Sequence, residues 1–287
     1  ENADVVRSII NKLTQDVSNS RRRLSALLQF FNLAFSSNTK FELLLAIYNF
    51  AKETTQLQKI SALHEKVSEW ISSWKLDESQ QQMLFKTIAR IFFEVGQKKR
   101  ALDMTVQFLK ALDEALSSDD IETVVKPALV SAINSASGDF KQRANLFEAL
   151  GMQRLPGDAM ALLTVLRILC DGSVADWKSF VSNSANETIL KSHDISVSAI
   201  ERKIRIFSLT SLAADAVNKT LTFSSISSTL QISEDDVEEW VVEAIAEGVI
   251  QASINQLNGT VTIHRFVQRS FGPAQWRSLG GKLENLK

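Results

Sequence analysis

Successive amphipathic stretches with links of a few residues, only 3 prolines and 10 glycines in 287 residues, and one Asn-Gly hairpin signal late in the chain predict a mostly α fold. The expected architecture is a right-handed helical-repeat array, an α-solenoid, followed by a winged-helix subdomain with a small antiparallel β-sheet. The hydrophobic content of 45% and charged content of 23% are ordinary for a globular protein. The repeat character rests on helix order, because no strict internal repeat or tetratricopeptide signature occurs.

Val5, Val6, Ile9, Ile10, Leu13 and Val17 make a near 3.6-residue stripe over about residues 4–18. Ser20 can cap a second helix with Leu24, Leu27, Leu28, Phe31 and Phe35 inward, and Asn38 or Thr39 a third carrying Phe41, Leu44, Ile47 and Tyr48. A fourth helix is expected over Thr55–Ser73, and a fifth from Asp77, ended by Gly96 as its C′ glycine. A sixth runs Lys98–Leu116. From Asp119 to Asn134 the pattern continues, with Pro127 either kinking the helix or starting a new one. Gly138, Gly151, Pro156-Gly157 and Gly172 then punctuate shorter helices near 140–150, 157–170, 173–182 and 184–191. A long helix over Ser196–Val217 leads into the last unit. The expected partition is residues 1–195 for the array, 196–218 for the connecting helix, 219–271 for the winged helix and 272–287 for the start of a C-terminal helix.

Within the winged helix, Thr222 and Phe223 suit a short strand. Ser224 or Ser225 can cap a helix burying Ile226 and Leu230. Ser233-Glu-Asp-Asp resembles a capping box for a second helix that buries Val237, Trp240, Val241, Ala244 and Ile245 and closes at Gly248. Asn258-Gly259 predicts a two-residue type I′ turn pairing Leu257 with Thr260, Ile254 with Ile263 and Ile250 with Val267. One face then carries Ile250, Ala252, Ile254, Val261, Ile263 and Val267, and the other Gln251, Ser253, Asn255, Thr262 and His264. Such alternation leaves one face on the helices and one toward water or a partner. The second strand, if uncovered, is a free sheet edge.

A DNA-reading winged helix needs basic and amide side chains on its second helix. Here that helix carries Glu234, Asp235, Asp236, Glu238, Glu239, Glu243 and Glu247, with no Lys or Arg from Thr220 through His264. Those carboxylates repel phosphate, so DNA reading is excluded. The acidic face is either solvated surface or a partner-docking surface.

The net charge of −1 gives no overall pull toward nucleic acid or membrane. No apolar run approaches the roughly 18 residues of a membrane span. One cysteine, Cys170, excludes an intramolecular disulfide, suits a reducing compartment, and sits in an apolar run as a buried, inert thiol. His64, His193 and His264 are scattered, so no cluster has zinc spacing. Nucleophile elbow, Walker A and dinucleotide patterns are lacking, so neither catalysis nor a cofactor is expected. Basic runs occur at Arg21–Arg23, Lys98–Arg100 and Arg202, Lys203 and Arg205. Near the chain end, Arg265, Arg269 and Arg277 are the candidates for a weak, salt-sensitive RNA contact. The opening residue, Glu1, reads as a trimmed start.

A helical array ending in a winged helix without DNA-reading chemistry resembles the PCI-domain family, found in subunits of the proteasome lid, the COP9 signalosome and eukaryotic translation initiation factor 3. Two stretches are similar to the initiation-factor branch: Trp-Ile-x-x-Trp-x-Leu at Trp70–Leu76, and Phe223–Glu238 with the later run His264–Trp276, including Arg269-Ser-Phe-Gly-Pro-Ala-Gln-Trp276. The resemblance spans roughly residues 55–287. It implies a non-catalytic, cytoplasmic scaffold that joins other PCI and MPN subunits and reaches the 40S ribosomal subunit through the complex. It further implies edge-to-edge winged helices, with C-terminal helices gathered in a bundle whose segment here is trimmed or disordered beyond Lys287. On that basis the expected contact residues are Val249, Gln251, Ser253, Asn255, Thr260, Thr262, His264 and Phe266, with Glu238 and Glu239. The alternatives are a lid or signalosome scaffold subunit and, from another class, an RNA-binding module using the basic runs.

Overall fold

The computed structural model describes residues 3–112, 115–151, 155–215 and 220–269. The chain forms two compact units, Glu1–Ala128 and Leu129–Lys287. Compactness therefore divides it inside a helix, and the winged helix shares a unit with the helices before it.

In the first unit the helices are α1 (Ala3–Thr14), α2 (Ser20–Leu33), α3 (Ser37–Glu53), α4 (Ser61–Ser73), α5 (Glu78–Glu94), α6 (Lys98–Lys110) and α7 (Ser118–Asp120), followed by α8 (Lys126–Asn134), in which the unit ends. The first three pack on one another, α3 packs on α5, and α5 on α6. Their inward stripes supply Leu27, Leu44, Ile47, Leu84, Ile88 and Phe92, all fully buried. Each such side chain contributes about 1.5–3 kcal/mol. Local chemistry sets the boundaries. Asp77 caps α5 by accepting from the Gln80 N–H at 2.7 Å. Gly96, at φ 75°, ends it, with the Gly96 and Gln97 N–H groups donating to Phe93 and Phe92 carbonyls.

Several expectations in this unit are corrected. Asn19, not Ser20, stands at the cap of α2, with no side-chain capping bond, and Phe35, expected inward, lies past the end of that helix and is exposed. The cap of α3 is Ser36, not Asn38 or Thr39, and its side chain makes no capping bond. The helix expected from Thr55 begins as a 3-10 turn, Leu57–Ile60, before α4. The helix expected to reach Leu116 ends at Lys110. Pro127 is the second residue of α8, where an α-helical run starts, as one of the two expected alternatives had it. A π-helical stretch, Ile121–Val125, precedes it, and that wider turn relieves the crowding of the proline ring against the preceding carbonyls.

The second unit contains α9 (Phe140–Leu150), α10 (Gly157–Asp171), α11 (Val174–Val181), α12 (Ser184–Ser192), α13 (Val197–Asp215), β1 (Thr220–Thr222), α14 (Phe223–Leu230), α15 (Val237–Ala246), β2 (Ile250–Asn255) and β3 (Thr260–Phe266). Ser173 and Asp176 form a reciprocal capping box on α11. Helix α13 packs on α10, α11, α14, α15 and β3. Accordingly Ile204, Ile206, Phe207, Leu209 and Thr210 are all buried, as a helix packed against several elements requires. The connecting helix is thus the core of its unit. The sheet is antiparallel with strand order β1-β3-β2.

Candidate protein-interaction surface

The winged helix is built from local signals that compete. Thr222 ends β1 and caps α14, its side chain accepting from the Ser225 N–H at 3.3 Å. It takes the role expected of Ser224 or Ser225, and Phe223 becomes helical. Helix α15 starts at Val237 rather than near Ser233, whose hydroxyl instead accepts from the Asp235 N–H at 3.3 Å. Gly248, at φ 71°, closes α15: its N–H donates to Ile245, and that of Val249 to Ala244.

The hairpin register differs from the predicted one. Asn255 pairs with Thr260, Ile254 with Val261, Ser253 with Thr262 and Ala252 with Ile263. The loop is therefore four residues, Gln256–Gly259, closed by Gly259 N–H to the Gln256 carbonyl at 3.2 Å. The Asn255 side chain accepts from the Asn258 N–H at 3.2 Å, and only Gly259 takes positive φ, 58°. This local bond outcompetes the type I′ turn, which needs positive φ at Asn258 as well. The shift is two residues, so the predicted faces survive. A bulge then leaves His264 as the extra residue, with Gln251 opposite Arg265 and Ile250 opposite Phe266.

The topology corrects the edge. β3 lies between β1 and β2, and β1 pairs with its Thr260–Thr262, so Thr260 and Thr262 are not on an outer strand, whereas His264 lies past that pairing; among the described residues the outer strands are β1 and β2. Val249 is fully buried and presents no contact surface, and Phe266 is half-buried. Gln251, Ser253 and Asn255 are exposed on β2, and exposed His264 bonds through Nε2 to the Ser253 hydroxyl at 2.7 Å. Expectation also missed a second feature. The core-facing Ala252 and Ile254 of β2 are only half-buried, whereas Val261 and Ile263 opposite them are fully buried. On α15, Val242 is 52% exposed. Its place between Glu238 and Ala246 at i±4 spacing was the available signal.

The acidic helix is partly neutralised from within. Arg202 of α13 pairs with Glu243 and, at 3.0 Å, with Glu247. Glu238 accepts from the Gln256 amide. Arg205 pairs with Glu201 at 2.7 Å and lies 5.3 Å over the Trp240 ring. Glu239 is exposed.

The basic residues proposed for RNA fare differently. Arg269 is buried, donating from Nε to the Leu169 carbonyl at 2.9 Å and from Nη2 to that of Ile168 at 2.5 Å. It serves the carbonyl end of α10 and is unavailable to a phosphate. Lys203 is used likewise, donating to the Ile133 and Ser135 carbonyls at 2.9 and 2.8 Å. Arg143, 1% exposed, donates to Ala136 and Ser137 carbonyls and to the Ser135 hydroxyl. Burial lowers Lys203 to about 8 and both arginines to about 10. Arg265 is exposed, and Arg277 lies outside the described residues, as does the Ser270–Trp276 part of the expected C-terminal motif. Cys170 is buried, which pushes its thiol up to about 12. Among the described residues no group of three or more His, Cys, Asp or Glu could hold a metal, and no helix is long and apolar enough to cross a membrane.

Residues 175–265, from α11 to β3, match the family model of the PCI domain. Over 270 residues the chain is 30% identical to eukaryotic translation initiation factor 3 subunit M of Coccidioides immitis, covering 91% of this chain and 57% of the relative. The same-named subunit of Aspergillus fumigatus is 29% identical over 269 residues (91% and 57%), and that of Phaeosphaeria nodorum 26% over 265 (91% and 59%). The chain thus spans 57–59% of the length of these curated relatives.

Proposed function

With residues 175–265 assigned to the PCI family, we propose that the chain serves as a non-catalytic scaffold subunit in a translation-initiation complex of the factor 3 type. Its relatives bear that name. It acts in the cytoplasm, joining PCI and MPN subunits, and meets the 40S ribosomal subunit through the assembly. The joint is the winged-helix sheet, and the helical surface of the first unit offers a second contact.

One observation carries this reading. Strand order β1-β3-β2 leaves the six residues of β2 as an edge without a lysine or proline. Proteins that keep an edge free ordinarily block it with such residues, and an unblocked edge is a template for another strand. Of the basic runs that the RNA-binding rival uses, Arg21, Arg22 and Lys98–Arg100 are exposed, Lys203 is taken up by backbone carbonyls and Arg202 by Glu243 and Glu247, and near the chain end Arg269 is buried while Arg265 is exposed.

The test uses the full-length protein with Ala252→Lys, which places a charge on the half-open core side of β2. Co-expressed with the partner subunits, the variant should keep its circular dichroism spectrum and lose co-purification. Unchanged assembly with the fold intact would contradict the joint.

A further inference from the structure

The loop that closes the β2–β3 hairpin carries a reactive pair of its own. Asn258 is exposed, and it is the one asparagine of the chain followed by a glycine. The backbone nitrogen after an asparagine can attack the carboxamide carbon and close a five-membered ring. A following side chain crowds that nitrogen, and only glycine, with no Cβ, leaves it open. The fold holds both groups loosely here. The Gly259 N–H donates to the Gln256 carbonyl and the Asn258 N–H to the Asn255 side chain, both at 3.2 Å, the long end of the range for such bonds. Among the described residues the Asn258 carboxamide itself has no partner. Comparable positions are held more firmly or are crowded. At Asp171-Gly172 the Gly172 N–H donates to the Ile168 carbonyl at 2.8 Å. Of the asparagines followed by serine, Asn183 uses its side chain to cap α12, accepting from the Ala185 N–H at 3.0 Å. Asn134 is the last residue of α8, and exposed Asn19 faces the Cβ of Ser20 at the attacking nitrogen.

We propose that Asn258 converts spontaneously to isoaspartate in the folded protein and so becomes a substrate for a methyltransferase that esterifies isoaspartyl carboxylates. The Gly259 nitrogen gives its proton to water and bonds to Cγ of Asn258. The bond from Cγ to the amide nitrogen breaks, and ammonia leaves. Water then opens the cyclic imide. Opening at the backbone carbonyl carbon leaves the chain running through Cβ and Cγ, which is isoaspartate, and opening at Cγ leaves aspartate. Asparagine and water thus give a carboxylate and ammonia, with no oxidant or reductant. Methylation then forms one carboxylate O–CH3 bond and breaks one S–CH3 bond of a sulfonium donor, which leaves as a thioether. The isomer adds a methylene to the backbone of the loop and a negative charge to its tip. That loop is tied into the subdomain. The Gly259 carbonyl accepts from the N–H of Phe223, the first residue of α14, at 2.8 Å. Thr260, next in the chain, pairs with Asn255 on one side and Thr222 on the other. The lengthened backbone therefore loosens the start of α14 together with the hairpin.

The test ages the whole folded chain in warm, mildly alkaline buffer and maps its peptides by mass spectrometry. Isoaspartate is read as methyl groups taken from labelled S-adenosylmethionine through a purified isoaspartyl methyltransferase. Asn258 should gain the deamidation mass ahead of every other asparagine, with methyl acceptance rising in parallel. Asn258→Gln, which would have to close a larger ring, should keep the urea midpoint and lose the methyl acceptance. Asn255→Ala should speed conversion roughly two- to tenfold, the worth of the one hydrogen bond it removes. In the aged protein the Phe223 amide should exchange faster with deuterium. Conversion in urea but not in the folded chain would overturn the proposal, since the loop would then shield Asn258. Earlier conversion at Asn19 would overturn the choice of site. Mass gain without methyl acceptance would make aspartate the product and overturn the isoaspartate. An unchanged Phe223 amide in fully converted protein would overturn the link to α14.

Discussion

Buried titratable groups in the two units are kept soluble in the core by different means. Arg143 stays bonded to carbonyls of the loop after α8, and Lys203 and Arg269 to carbonyls at or just past the ends of α8 and α10, which carry partial negative charge. His64 stays neutral. Its Nδ1 meets the Tyr48 hydroxyl at 2.7 Å, and Phe92 stands edge-on to its ring. Burial, with nearby Arg100 second, lowers it from 6.5 to about 4. Because the folded value is depressed, the unfolded chain binds the proton first as pH falls. Stability is full above about pH 6.5 and is lost as pH drops toward 4. Urea unfolding should show a loss of about 2 kcal/mol between about pH 7.5 and 5 that His64→Gln lacks. Identical pH profiles for both proteins would refute the assignment. Neither device was legible in advance. Arg269 lies about 100 positions from the carbonyls it serves, and a lone arginine in a basic run reads as surface.

At the scale of elements, periodicity located the helices well, because an amphipathic stripe is a property of the local sequence. Starts and registers were harder where several residues could do one job. Thr222, Ser224 and Ser225 can all cap α14, and the strand pairing of Thr222 with Thr260 decides for the first. In the hairpin, Asn255 supplies a turn bond that the Asn-Gly signal did not include. Ends closed by glycine were the clearest, since Gly96 and Gly248 meet a backbone requirement that few residues share. At Gly248 an added Cβ meets nothing within 4 Å, so only the left-handed backbone resists substitution. Gly248→Ala should lower stability by about 1–2 kcal/mol in urea unfolding. An unchanged midpoint and slope would show that the α15–β2 turn does not depend on that conformation.

For the molecule as a whole, sequence order carried the fold class: helices first, one small sheet late, no chemistry of catalysis in the pattern. Strand order was not carried, because β1 is three residues long and lies far in sequence from the hairpin that receives it. That insertion moves β3 to the centre and hands the free edge to β2. The account turns on this exchange. Hydrogen–deuterium exchange of the full-length protein, free and assembled with its partner subunits, reads it directly. The amides of Gln251–Asn255 should gain protection on assembly, while those of Thr260–Thr262 in β3, already flanked by β1 and β2, change little. Equal exchange of the β2 amides in the free and assembled states would contradict the joint.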